Sequence, residues 1–349
     1  MNNILEAVCN LEGQPLSLCS IKEIVEAYAD GSTLARNIQL PENEKDFNTK
    51  FINLHESYIL LNSTGTKIRI CHNLDEIIKG DHVYILLHGL GGSVEHFEPL
   101  LRLLDATKNN FITLDLPGFG RSDELDFYPM NKIVGIIHDV VSRYILENQN
   151  ISIVGHSMGC YFGIKYLQVY SSYYNIEKLV LLAPPEPKQG RLSKDSYWTR
   201  LLIGAIFRAP WIFDLYRTRF DQSKGLSSSG IKDFFYNNDD SDINNKYRRL
   251  WQFSNNVQIK SRSIMGYFKG WEDIDWDSVN SIQLDDIKIR IACGNYDKIT
   301  PFACSTMMYE KFENFEDKEL IKMNNIGHNV CFDDPKQMCA IFYENILQL

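Results

Sequence analysis

Positive charge is in short supply: 36 Lys and Arg face 45 Asp and Glu, for a formal net charge of −9. Phosphate backbones are held by basic faces, so no nucleic-acid partner is expected. Long apolar runs are missing as well. No window of about 18 apolar residues occurs, and the opening MNNILEAVCNLEGQ has neither a basic leader nor a long apolar core, so neither a transmembrane segment nor a secretory signal is expected. Paired cysteines are also lacking. Cys9, Cys19, Cys71, Cys160, Cys293, Cys304, Cys331 and Cys339 include no Cys-x-x-Cys and no histidine spacing that suits zinc. They read as buried thiols of a protein in the reducing cytoplasm, with no metal and no cofactor implied.

What is present is an ordinary globular composition, 44% hydrophobic and 23% charged, able to bury a large core. Residues 1–50 carry a short helical pattern, SIKEIVEAYAD, followed by the polar PENEKDFN, and read as an N-terminal helical arm. Strand-like runs follow at SYILL, KIRIC, HVYILLHG, FITLDLPG, ISIVGHS and KLVLLAPP, the later ones separated by helical patterns such as HFEPLLRLLDA and KIVGIIHDVVSRYILEN. Runs that are apolar on both faces imply strands covered on both sides, the pattern of a parallel sheet in an α/β protein. The alternation stops after Pro185 and resumes at KIRIACGNYD and LIKMNNIGH. Residues 51–185 and 286–349 are therefore expected to form one core, and residues 186–285, which hold all five tryptophans, a helical insertion.

Gly155-His156-Ser157-Met158-Gly159 lies where ISIVGHS turns into a helical stretch, the context in which Gly-x-Ser-x-Gly presents an exposed serine hydroxyl. A helix-capping serine between two glycines is the alternative. Acyl transfer also needs N–H donors for an oxyanion, and LLHGLGGS supplies a glycine-rich turn after a strand; the N–H groups of Leu90 and Met158 are the expected donors. Gly91 and Gly92 are expected to let the backbone approach the ester, and His88 to be a loop anchor. A serine needs a base, and only His328 of the eight histidines follows Ser157. Asp297, after the strand IRIACGN and 31 residues before His328, is expected to orient its imidazole; Asp285 and Asp286 are weaker candidates. Asp333 and Asp334 read as helix caps beside Pro335.

In this order, HGLGGS, DLPGFGRSD, GHSMG, GNYDKITP and IGHNVCFDDP resemble the α/β-hydrolase superfamily, and within it the serine hydrolases of acyl esters. The resemblance implies an α/β-hydrolase fold with a mostly parallel sheet and a helical cap after the sixth strand. It implies Ser157 as nucleophile, Asp297 as acid, His328 as base, and Leu90 and Met158 as oxyanion donors. Serine at the elbow sets the chain apart from the epoxide hydrolases and haloalkane dehalogenases of this fold, which place aspartate there. VGHSMGC, FDQSKGLSSSGIKDFF, WQFSNN and GYFKGWEDIDW further resemble a yeast family of lipid droplet hydrolases. That implies a lipid-ester substrate and a peripheral place on droplets or membranes. Such relatives can end in a peroxisomal Ser-Lys-Leu signal, whereas this chain ends Leu347-Gln348-Leu349, so peroxisomal import through it is not expected.

Within the insertion, residues 201–220 combine Phe207, Trp211, Phe213 and Tyr216 with arginines, including the preceding Arg200. They are expected to form a helical face for a lipid interface, arginines outward and aromatics inward. Two other functions fit the same sequence. One is acyl transfer to a lysolipid, since His328 and Asp333 have a His-x-x-x-x-Asp spacing that related lipid hydrolases also carry; the other is a silent hydrolase fold serving as a binding module on droplets.

Overall fold

The computed structural model describes residues 50–62, 64–74, 82–188, 197–238, 243–282 and 287–348. Apart from Lys50, the N-terminal arm lies outside these residues, as do Cys9, Cys19, Asp285 and Asp286. Eight strands form one sheet in the order β1-β2-β4-β3-β5-β6-β7-β8. They are β1 (Glu56–Leu60), β2 (Lys67–His72), β3 (Val83–Leu87), β4 (Asn110–Leu114), β5 (Asn150–His156), β6 (Asn175–Leu182), β7 (Lys288–Gly294) and β8 (Lys318–Met323). The pairs β1–β2 and β2–β4 are antiparallel, and the remaining pairs are parallel.

The central strands are mostly apolar because alternate residues enter different layers. Ile85, Leu87, Ile151, Ile153, Leu179 and Leu181 pack on one face of the sheet, and Tyr84, Leu86, Val154, Val180 and Leu182 on the other. A strand with period two and two dry faces needs an unbroken apolar run. Of the flanking helices α1 (Lys50–His55), α2 (Glu98–Ala106), α3 (Met130–Val141) and α4 (Met158–Tyr170), α3 and α4 contribute Ile133, Ile137, Tyr161 and Phe162 to the first layer. The second layer takes Leu100, Leu101 and Leu104 from α2.

Adjacent parallel strands β6 and β7 are joined through the insertion, as a helical cap: α5 (Tyr197–Arg208), α6 (Pro210–Tyr216), α7 (Ser229–Lys232), α8 (Ile243–Gln258), α9 (Ser261–Gly270) and α10 (Trp276–Asn280). The chain closes with α11 (Phe302–Lys311), α12 (Val330–Asp333) and α13 (Pro335–Phe342). No helix among the described residues is long and apolar enough to cross a membrane.

The expected orientation of residues 201–220 holds only in part: Arg208 and Arg219 are exposed and Phe207 and Phe213 partly buried, as expected, but other side chains depart from it. Trp211 and Phe220 are 65% and 60% exposed, with Ile212, Leu215 and Tyr216 also turned outward. Arg217 instead points inward, donating to the carbonyls of Asn256 and Ile259. A guanidinium can serve several backbone carbonyls at once, and the last turn of α8 and the residue after it offer two that need donors. The Arg200 side chain lies outside what is described.

Among the described residues Cys71, Cys160, Cys293, Cys304 and Cys331 are buried, Cys339 is partly so, and all six are free thiols. Burial pushes the Cys293 thiol up to about 12, so it stays protonated and unreactive.

Candidate active site

The parallel strands bring their C-terminal ends to one edge of the sheet, where open α/β sheets gather functional loops. Ser157 follows β5 and precedes α4 with φ 52° and ψ −121°. That backbone conformation is strained for a residue with a side chain and persists only where packing enforces it. The glycines supply the packing. A Cβ on Gly155 would lie 2.6 Å from backbone atoms of Cys160, and one on Gly159 would lie 2.0 Å from the Leu87 carbonyl oxygen. Only glycine lets α4 start so close to β3 and β5.

The turn after β3 packs against this elbow. A Cβ on Gly89 would sit 2.9 Å from the Ser157 Cβ, so Gly89 is the residue that permits close approach. Gly91 and Gly92 do something else: Gly91 takes φ +70° under Ile259 of the cap, and Gly92 lies against the His88 ring. His88 is an anchor, donating from Nδ1 to the Gly89 carbonyl and accepting the Leu116 N–H at Nε2. Burial lowers its pKa to about 3, so it is neutral. The N–H groups of Leu90, beside Gly89, and of Met158, in the first turn of α4, donate to no protein acceptor among the described residues.

Asp297 follows β7 and His328 follows β8. Gly294 lets the two loops meet, since a Cβ there would be 2.1 Å from the Ile326 carbonyl, and Asn295 and Tyr296 donate their N–H groups to the Met323 and Ile326 carbonyls. His328 Nδ1 lies 2.8 Å from Asp297 Oδ2, and its Nε2 lies 3.0 Å from Ser157 Oγ. Asp297 Oδ1 accepts the N–H groups of Ile299 and Thr300, both at 2.8 Å. Burial pushes the carboxyl upward, but the His328 contact and the Thr300 donors outweigh it, and the pKa stays below the usual aspartate value. The carboxylate is therefore ionised and requires a proton on Nδ1, leaving the Nε2 lone pair facing the serine.

Several residues of this site carry no local sequence signal. Thr300 Oγ1 lies 2.9 Å from Asp297 Oδ2 and 3.0 Å from the Ala183 carbonyl, steadying the acid. His156, inside the elbow motif, lies with Nε2 2.9 Å from the His328 carbonyl; burial lowers its pKa to about 3, so it is a neutral donor. Phe234 of the cap sets its ring edge-on to the His328 imidazole at 5.2 Å.

Asp334 caps α13, accepting the Gln337 N–H. Asp333 departs from the capping role. Its carboxylate accepts N–H groups from Gly327, Tyr236 and Asn237, so it ties the histidine loop to the cap. Turning the carboxylate to a helix end would leave these three N–H groups without it as acceptor, at a cost for each. Burial nonetheless pushes its pKa up to about 6.

Comparison with known proteins agrees with this architecture. The α/β-hydrolase fold family matches residues 83–335. The chain is 40% identical to lipid droplet hydrolase 1 of Saccharomyces cerevisiae over 98% of this chain and 97% of that one. It is 23% identical to an abhydrolase domain-containing protein of Schizosaccharomyces pombe over 90% and 84% of the two chains. An esterase from Exiguobacterium antarcticum superimposes with a TM-score of 0.61 at 20% identity, covering 82% of this chain and 97% of that one, a likeness of fold. On the fold and on these matches, the chain belongs to the α/β-hydrolase fold family.

Proposed function

We infer that this protein hydrolyses carboxylic esters of lipids through an acyl-enzyme on Ser157. As a family member 40% identical to a named hydrolase, the chain is a carboxylic-ester hydrolase; the residue roles and the substrate class are the finer reading. One observation carries the chemistry: the unbroken contact chain from Ser157 Oγ to His328 Nε2 and from Nδ1 to Asp297 Oδ2.

In this reading His328 Nε2 takes the serine proton as Oγ attacks the ester carbonyl. The oxyanion accepts from the N–H groups of Leu90 and Met158, which have no acceptor to give up among the described residues. The imidazolium, paired with Asp297, then protonates the departing alcohol. Water attacks the acyl-enzyme with His328 again as base, releasing the fatty acid and restoring Ser157. Residues 51–185 and 286–349 supply the reacting groups, and residues 186–285 form the cap over them.

A lipid substrate is supported by the relative named for lipid droplets and by the outward aromatic face of α6. We place the protein on the cytoplasmic side of a droplet or membrane, held peripherally by Trp211, Ile212, Leu215, Tyr216 and Phe220. The spacing of His328 and Asp333 does not favour acyl transfer, because the Asp333 carboxylate is already taken up by three backbone N–H groups.

Two measurements test this. With purified protein, turnover of monoacylglycerol and triacylglycerol should exceed that of acetate esters, and a preference for acetate with no acylglycerol turnover would remove the lipid reading. Replacing Trp211 and Phe220 by serine should reduce flotation with phospholipid-coated triolein droplets at least about tenfold, since each buried aromatic side chain contributes roughly 1.5–3 kcal/mol. Hydrolysis of a short soluble ester should be unchanged. Flotation equal to the parent's would locate attachment elsewhere.

A further inference from the structure

Three segments that are far apart in sequence meet at one buried amide oxygen. Gln252 of α8 is 3% exposed. Its Oε1 lies 2.9 Å from His96 Nε2 and 2.7 Å from Asn329 Nδ2. His96 lies in the short 3-10 helix Val94–Phe97 that follows the glycine-rich turn of the oxyanion candidate Leu90, and Asn329 adjoins His328.

The proton positions in this contact are determined by its neighbours. His96 Nδ1 accepts the Ser93 N–H, so the ring proton is on Nε2 and must find an acceptor. Burial holds the pKa of His96 below the ordinary histidine value, so no second ring proton is present. Asn256 fixes the other end of the Gln252 amide: its own Nδ2 donates to the Gly230 carbonyl, which leaves Oδ1 to accept from Gln252 Nε2 at 2.8 Å. Gln252 therefore cannot turn over without leaving three donors facing donors or nothing.

Packing makes the joint stiff. The His96 ring stacks on Phe332 at 5.5 Å and meets the edge of Trp251 at 5.1 Å. One turn further along α8, Asn255 Nδ2 donates to the Gly91 carbonyl at 2.9 Å, so the same helix grips the oxyanion turn twice.

We propose that Gln252 is a positioning residue that fixes the oxyanion turn and the histidine loop at their working separation, so that the cap completes the acyl-transfer site as well as covering it. This rests on the functional reading above. The two segments also meet where His96 stacks on Phe332, and the Asn329 N–H donates to the Phe234 carbonyl of the cap, but the Gln252 oxygen is where side chains of both are held by one acceptor. A displacement of about 1 Å in reacting groups costs on the order of 10²-fold in rate.

The test uses the full chain and p-nitrophenyl butyrate as probe. Gln252→Leu should lower kcat by about 30- to 100-fold with KM within about threefold, and slow fluorophosphonate labelling by a similar factor. Gln252→Glu, which keeps an oxygen facing His96 and Asn329 and, protonated in this buried setting, an O–H for Asn256 Oδ1, should recover at least tenfold of that kcat. Asn329→Ala, which leaves Gln252 and the oxyanion contact in place, should lose kcat without KM, and so decides the matter should Gln252→Leu fail to fold. The proposal is overturned if folded Gln252→Leu, or Asn329→Ala, keeps kcat within about twofold of the parent. It is also overturned if Gln252→Glu is as slow as Gln252→Leu. Ser157→Ala run alongside separates the two claims, because full activity in that variant would sink the functional reading whatever Gln252 does.

Discussion

Ser157→Ala should lower ester turnover by on the order of 10⁶-fold while the protein stays folded. The factor is that for removing the nucleophile from a serine, histidine and aspartate group, with the remainder supplied by binding and the oxyanion donors. Folding should survive because alanine keeps the Cβ, so the strained φ of 52° is no harder to hold than before. The serine hydroxyl also makes no helix-capping hydrogen bond, so none is lost. Steady-state rates with a chromogenic ester, together with a thermal unfolding midpoint close to the parent's, check both halves. Turnover like the parent's would place the nucleophile elsewhere.

Asp297→Asn should be slower by about 10⁴-fold, for a reason of proton placement. Oδ1 of Asp297 receives two backbone N–H groups, so in asparagine that position must remain the carbonyl oxygen. The new NH₂ then falls where Oδ2 was, 2.8 Å from His328 Nδ1. Facing a donor, Nδ1 becomes the unprotonated nitrogen, and the ring proton moves to Nε2. His328 would then donate to Ser157 rather than take its proton. Near-normal kcat in this variant would mean that a different carboxylate orients the base.

The sheet was legible in the sequence because strands with two dry faces need continuous apolar runs, and VYILL in β3 and LVLL in β6 have them. The elbow was legible for an equally local reason: glycines two residues to either side of Ser157 mark where backbone meets backbone. The approach of Asp297 to His328 was an inference from order along the chain, and its geometric basis, Gly294 against Ile326, has no pattern of its own. Gln252, Thr300 and His156 were missed for a related reason. Each acts through a hydrogen bond to a distant segment, and such pairings leave no periodicity to read. The inward turn of Arg217 was misjudged because amphipathic spacing identifies two faces without saying which one is wet; carbonyls at the C-terminal end of α8, some forty residues away, decide it.

The central claim is that Ser157 forms the covalent intermediate with His328 as its base. Its most direct measurement is peptide mapping by mass spectrometry after reaction with a fluorophosphonate, in which the Oγ–P bond forms as fluoride departs. The account predicts a single adduct on the peptide containing Ser157, formed far more slowly in His328→Ala and absent in Ser157→Ala. An adduct on any other residue, or ester turnover by a protein that takes up no label, would contradict it.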